Sequence, residues 1–144
     1  MNNFSCNLLQ AKNELEQNKY VICLIKDSSV FHSCSRGVSP LVNWIQEGKT
    51  FEGFACADKV VGKAAAMLMV LLGINEVYAP IMSKGALEVF EKYSIPYFYD
   101  ALVERIFNRT KDDFCPMDKA VFSLTEPTDA YRAICNKLAE LSKK

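Results

Sequence analysis

Apolar residues at Leu8, Leu9, Ala11 and Leu15 recur at helical spacing among polar ones, which predicts an amphipathic helix over residues 5–18 with Ser5 as its N-cap. The period then changes. YVICLIK, residues 20–26, is a continuous β-branched and apolar run that reads as a buried strand. With the tight polar turn after it and VFHSCS, residues 30–35, it predicts a β-hairpin. RGVSP breaks the pattern, and Pro40 opens a short helix carrying Leu41, Trp44 and Ile45. FEGFACA (51–57) is strand-like, NEVYAPIM (75–82) is a strand, and SKGALEVFEKYS (83–94) is a helix capped by Ser83. IPYFYD (95–100) is a further strand, and residues 102–107 read as helical. NRTKDDF (108–114) is a polar loop before CPMDKAVF (115–122), which begins another helix. Residues 126–144 form a last amphipathic helix with Ala130, Ile134, Leu138 and Leu141 on its apolar stripe.

Strands separated by helices imply an α/β fold whose sheet is mainly parallel and covered on both faces, with one antiparallel pair from the hairpin. No repeat, low-complexity stretch or linker interrupts residues 1–144, so one domain is expected.

ADKVVGKAAAMLMVLLG, residues 57–73, departs from this regularity. It reads as a buried helix that carries Asp58, Lys59 and Lys63 at its front and no charge from Ala64 to Leu72. Asp58 is placed as the N-cap. Lys59 and Lys63, four residues apart, then project from one helix face near the positive end of the helix dipole, where a cation is mildly unfavourable. A bound anion would resolve that conflict, held by free amides and two ammonium groups. The alternative is that Asp58 neutralises Lys59 and both lysines extend into water. The helix entrance lies at a strand's carboxyl end, where ligands of open α/β sheets gather.

Composition changes the picture mainly by exclusion. Seventeen basic residues balance seventeen acidic ones, so the overall charge points to no nucleic-acid or anionic-membrane partner. The longest uncharged apolar run, 64–74, is far short of the roughly 20 residues that cross a bilayer. The first residues lack the pattern of a signal peptide. Six cysteines, several inside apolar segments, are then expected to be reduced thiols of a cytoplasmic protein.

Among them Cys115 stands out. Cys115-Pro116-Met117-Asp118 has the grammar of a helix start, which puts the thiol at a cap where amide dipoles favour the thiolate. Arg109 and Lys111 would assist, and Asp112 and Asp113 would oppose. Cys23 and Cys135 fall in apolar stripes and are expected in the core. His32, the sole histidine, sits in a strand with no paired cysteines elsewhere, so it is expected to be structural or exposed, and no metal site or cofactor is expected. Neither a Walker loop, a G-x-G-x-x-G nor a G-x-S-x-G is present.

SRGVSPL, ADKVVGKAAA, YAPIMSKGALEVF and NRTKDDFCPMDKAV together resemble domain-of-unknown-function family 1893, small prokaryotic proteins, over nearly the whole chain. The resemblance implies a cytidine-deaminase-like fold: three layers, α/β/α, around a mixed five-stranded sheet, here with extra C-terminal helices. Zinc deaminases carry H-x-E or C-x-E on one helix and P-C-x-x-C at the next. The corresponding entrances here, RGVSPLVNW and ADKVVGKAAA, hold no metal ligand, which argues against zinc-dependent deamination.

Three functions follow, in this order. The first is binding of a small anionic, nucleotide-like ligand by Asp58, Lys59, Lys63 and Arg109. The second is a non-catalytic interaction protein with a vestigial pocket. The third is an enzyme with Cys115 as nucleophile or redox thiol. Whether the chain catalyses anything, and whether it assembles with copies of itself, stays open.

Overall fold

Along the strand that follows the first helix, Ile22 and Leu24 enter one apolar cluster while Cys23 and Ile25 enter another, and all four are buried. A strand buried on both faces needs cover on both, and the fold supplies it. The computed structural model describes residues 4–108, 111 and 113–142.

The described elements run α1 (Cys6–Gln17), β1 (Ile22–Lys26), β2 (Ser29–Ser33), α2 (Ser39–Gln46), β3 (Ala55–Asp58), β4 (Val60–Val61), α3 (Lys63–Leu72), β5 (Glu76–Ser83), α4 (Lys84–Lys92), β6 (Tyr97–Val103), α5 (Pro116–Val121) and α6 (Pro127–Ser142). They build a three-layer α/β/α domain. Leu8, Ala11 and Leu15 of α1 cover one sheet face by packing against Cys23, Ala57 and Tyr78 of β1, β3 and β5. The other helices cover the opposite face, with α3 at their centre packing on α2, α4, α5 and α6. No helix among the described residues is long and apolar enough to cross a membrane.

Local signals explain most boundaries. Ser5 Oγ accepts from the Leu8 amide (3.1 Å) and Ser83 Oγ from the Ala86 amide (3.1 Å), so both expected N-caps are in place. Gly73, at φ +77°, ends α3 in the left-handed conformation that glycine adopts without penalty. Other expectations fail, two of them in the sheet. The segment expected to be helical at 102–107 begins as the end of β6, because Leu102 and Val103 pair with Met82 and Ser83. The sheet is also less parallel than expected: β1 lies between β2 and β3 and pairs antiparallel with both. Only the pairs that β5 makes with β3, β4 and β6 are parallel.

A fold line crosses the sheet. β3 and β4 pair with β5 in one register, Ala57 opposite Tyr78 and Val60 opposite Ile81, so they form one strand interrupted at Lys59. On each side of that point the alternation of faces slips by a residue. Cys56 and Val61, of opposite parity, both enter the larger core, as do Ala79 and Met82 on β5. Pro80 lies between the latter two, where its missing N–H would otherwise leave a gap in the ladder. Val60 and Ile81, directly opposite each other, are left exposed.

The start of α3 is held from outside its own segment. Asp58 does not cap it; the N-cap is Gly62, and the Ala64 amide donates to Oδ1 of Asp118 on α5 (2.9 Å). Asp58 is separated from the helix by β4. A Cβ built on Gly62 would overlap the Asp118 carboxylate, so this position accepts only glycine while the cap is in place. Asp118→Ala should therefore cost about 1–2 kcal/mol, the usual value of a lost cap. Gly62→Ala should cost a similar amount by displacing the carboxylate, yet add almost nothing once Asp118 is alanine. Urea denaturation of the two single variants and the double variant checks this; additive losses would contradict the shared mechanism.

Candidate functional site

Where β3 breaks, its last residue, Asp58, faces a cleft of about 930 Å³ between the start of α3, the start of α2, the α5 segment and the end of α6. Gly62 and Ala65 leave room on the α3 side, Val38 and Met117 line apolar walls, and Leu138 and Leu141 come from α6. The cleft thus opens at the carboxyl end of a parallel strand, the location expected from the sequence. A smaller cavity of about 330 Å³ lies beside α5, but its Lys119 is paired with Asp113 (2.7 Å) and its Lys137 with Glu140 (3.3 Å).

Charge in the large cleft is unevenly disposed. Lys19, Arg36 and Lys59 line it, all three are exposed, and none forms an ion pair among the described residues. Two carboxyls lie deeper. Asp58 is only 6% exposed. Burial pushes its pKa up to about 8, against the opposing pull of hydrogen bonds from the Val60 and Lys59 amides. Asp118 is also raised by burial, while the Ala64 amide, Arg105 and Lys63 pull it back. Arg105 is itself fixed, its guanidinium carbon 3.9 Å from the Phe114 ring centre and 4.7 Å from that of Phe122.

The two lysines expected to share a helix face part company. Lys59 occupies the strand break; its amide donates to the Val21 carbonyl (3.0 Å) and the residue lines the cleft. Lys63 is the first residue of α3 and turns to α5, where Nζ donates to the Phe122 carbonyl (2.8 Å). It is not among the residues that line the cleft. Burial lowers its ammonium pKa, with Glu88 and Asp118 drawing it back up. The electrostatic conflict at the front of α3 is therefore answered within the chain, by the Asp118 carboxylate and the Phe122 carbonyl. Arg109 lies outside the described residues.

Cys115 is the N-cap of α5, as its sequence context implies, and it lines the cleft. The expected thiolate character does not follow. Burial and the neighbouring charge of Asp118 push the thiol's pKa up, and the Asp118 and Met117 amides offset them only partly. A short helix start favours an anion less than a buried carboxyl beside it opposes one. His32 stacks on Tyr20 with ring centres 3.9 Å apart, on the edge strand β2. All six cysteines are free thiols; Cys23 is in the smaller core under α1, and Cys135 packs half-buried against the larger core on the other sheet face. Among the described residues no group of three His, Cys, Asp or Glu side chains gathers as metal ligands would.

Sequence reasoning missed Arg36, Lys19 and the trans-capping role of Asp118. A signal for Asp118 was present: G-K-A-A-A offers no side-chain cap of its own, so one had to come from elsewhere.

Residues 10–138 match the family profile described as TM1506, domain of unknown function DUF1893. The crystal structure of a DUF1893 family protein, TM1506 from Thermotoga maritima, is similar to the chain at 26% identity and a TM-score of 0.84, covering 93% of this chain and 92% of that one. Among curated proteins nothing matches.

Two measurements test the site's chemistry. The folded chain keeps the Asp58 proton to about pH 8, whereas an unfolded aspartate releases it near pH 4. Its contribution to stability is thus complete below about pH 4 and is lost as pH rises through about 8. The stability of wild type minus that of Asp58→Asn should fall across this window, by at most about 1.4 kcal/mol per pH unit, and then level off. A difference that does not change with pH would refute the buried neutral acid. Separately, a maleimide at neutral pH should modify the exposed Cys6 and Cys34 well before Cys115. Equal rates, read by peptide mass mapping, would restore Cys115 as a reactive thiol.

Proposed function

The chain belongs to the TM1506 family of unknown function, DUF1893, and from that premise we propose that it binds a small anionic, nucleotide-like metabolite in the cleft at the end of β3. The observation that carries this reading is that three basic residues, Lys19, Arg36 and Lys59, unpaired among the described residues, line a cavity of about 930 Å³. That volume suits a metabolite rather than a lone ion. Both acidic groups in the wall are compensated: Asp58 is protonated over most of the neutral range, and Asp118 is engaged by the Ala64 amide with Arg105 and Lys63 near it. The cleft is left net positive, which draws in and retains an anion. Val38, Ala65, Met117 and Leu138 supply apolar wall for the uncharged body of the ligand.

The anion-holding residues of this reading are Lys59 from the sequence, joined by Arg36 and Lys19; Asp58 lines the cleft without holding the anion. Lys63 acts on the architecture, and Cys115 contributes wall. The three-layer order of helices and sheet supports taking the domain as cytidine-deaminase-like in outline, with the cleft kept and the metal chemistry absent.

Thermal melts with inorganic phosphate and nucleoside monophosphates test the reading. A ligand at about one hundred times its Kd stabilises by about 2.7 kcal/mol, and the rise should shrink as sodium chloride screens the exposed cations. Lys59→Ala and Arg36→Ala should each weaken the ligand-dependent rise. Lys63→Met should destabilise the ligand-free protein by about 0.5–1.5 kcal/mol for its lost hydrogen bond, which lowers its melting temperature, and leave the rise intact. No shift with any phosphate compound, or a full shift in the Lys59→Ala/Arg36→Ala protein, would overturn it.

A further inference from the structure

Anion binding leaves one group in the cleft without a task. Asp58 and Ser83 are the buried polar side chains among the described residues, and Ser83 caps α4. Asp58 caps no helix and has no ion pair among the described residues. A core acid without a counter-charge is costly. Such a group is found more often where a ligand needs it than where packing does. Its position is fixed. The strand break at Lys59 and the face slip that Pro80 shares set Asp58 into the wall of the cleft, which the small residues Gly62 and Ala65 also line, and leave it only 6% exposed.

The Val60 and Lys59 amides lie close enough to the carboxyl group to pull against its raised pKa, and as a buried acid without an ion pair among the described residues it holds its proton. A neutral carboxyl offers an O–H donor next to a C=O acceptor. A flat group with its own acceptor and donor side by side, a cis-amide or amidine edge, complements that pair with two hydrogen bonds. The basic residues that line the cleft are exposed and the acid is buried, so a ligand that reaches from solvent into the cleft meets the cations with its outer part and Asp58 with its inner part.

We propose that Asp58 is the specificity residue of this site and reads the amide or amidine edge of a planar ring, while Lys59 and Arg36 hold the same ligand's phosphate. The ligand class is a phosphorylated nitrogen heterocycle, of which a nucleoside monophosphate is the plainest case. The inference rests on the anion-binding reading above and adds the chemistry of the ligand's other end.

Calorimetric titration separates the two. The probes are inorganic phosphate, ribose 5-phosphate and the four common nucleoside 5′-monophosphates, with wild type, Asp58→Asn and Asp58→Ala. At least one nucleotide should bind wild type about tenfold more tightly than ribose 5-phosphate, the increment that two net neutral hydrogen bonds give. Asp58→Asn, which keeps a donor beside an acceptor, should hold the increment within about threefold, and Asp58→Ala should abolish it while ribose 5-phosphate binds as before. Infrared difference spectra supply a readout that does not depend on the alanine variant folding. The protonated-carboxyl C=O band, isolated as wild type minus Asp58→Asn, should shift with the tight nucleotide and stay still with ribose 5-phosphate. Ribose 5-phosphate binding as tightly as every nucleotide, an increment that survives in Asp58→Ala, or a band unmoved by nucleotide would each overturn the role of Asp58 and leave the anion cleft standing. No binding of any phosphate probe would overturn the anion cleft itself.

Discussion

The hydrogen bond from the Ala64 amide to the Asp118 carboxylate joins two segments that are far apart in sequence, and the geometry of the cleft depends on it. α5 is six residues long, too short to hold its shape without tertiary support. α3 is the central helix of its layer, and it begins at a glycine with no side-chain cap. Each supplies what the other lacks. Asp118, at the third helical position of α5, gives α3 its missing acceptor, and Lys63 at the front of α3 returns a donor to the Phe122 carbonyl at the end of α5. The two bonds clamp the short helix across the entrance of the long one, and α5 becomes a wall of the cleft.

That clamp would enclose nothing useful if the sheet ran straight beneath it. The interruption at Lys59 and Pro80 ends the regular alternation of faces at the point where α3 begins. A continuous strand would have sent the residues after Asp58 on alternately into core and solvent. Instead the slip turns Val61 rather than Val60 inward, one residue late, and leaves Lys59 lining the cleft. The exposed pair Val60 and Ile81 is the other side of the same event, since residues displaced from the core face have no layer above them.

Much of this order was legible in the sequence. The serine caps of α1 and α4, the hairpin, the proline start of α2 and the strand β5 all rest on short-range signals that tertiary structure left unchanged. The resemblance to the family was legible as well. What could not be read was the stretch from Asp58 to Lys63. Alanines and leucines after a charged cluster look like one helix with a capped front, and the spacing of the lysines reinforces that impression. Yet Val60-Val61 is β-branched, and pairing with β5 extends the strand through both residues. Non-local hydrogen bonds outweighed a local propensity of tenths of a kcal/mol per residue. Residues 102–107 failed for the same reason: the free edge of β5 recruited Leu102 and Val103.

The fate of the two lysines shows how far a correct observation can lead to an incomplete site. Cations at the positive end of a helix do call for an anion, and the chain contains one. Asp118 meets that demand at α3, so the front of the helix is no longer a vacant anion site, and any external anion must be held by side chains farther out. Those are Lys59, Arg36 and Lys19, on the strand break, the approach to α2 and the segment before β1. Because Asp118 already satisfies the helix, a ligand need not displace it. Because Asp58 is uncharged through most of the neutral range, its carboxyl does not repel an anion held at the rim. On the proposed reading, the cleft presents positive charge where its cations are exposed and an uncharged hydrogen-bonding group where Asp58 is buried, a polarity that would select for ligands charged at one end only.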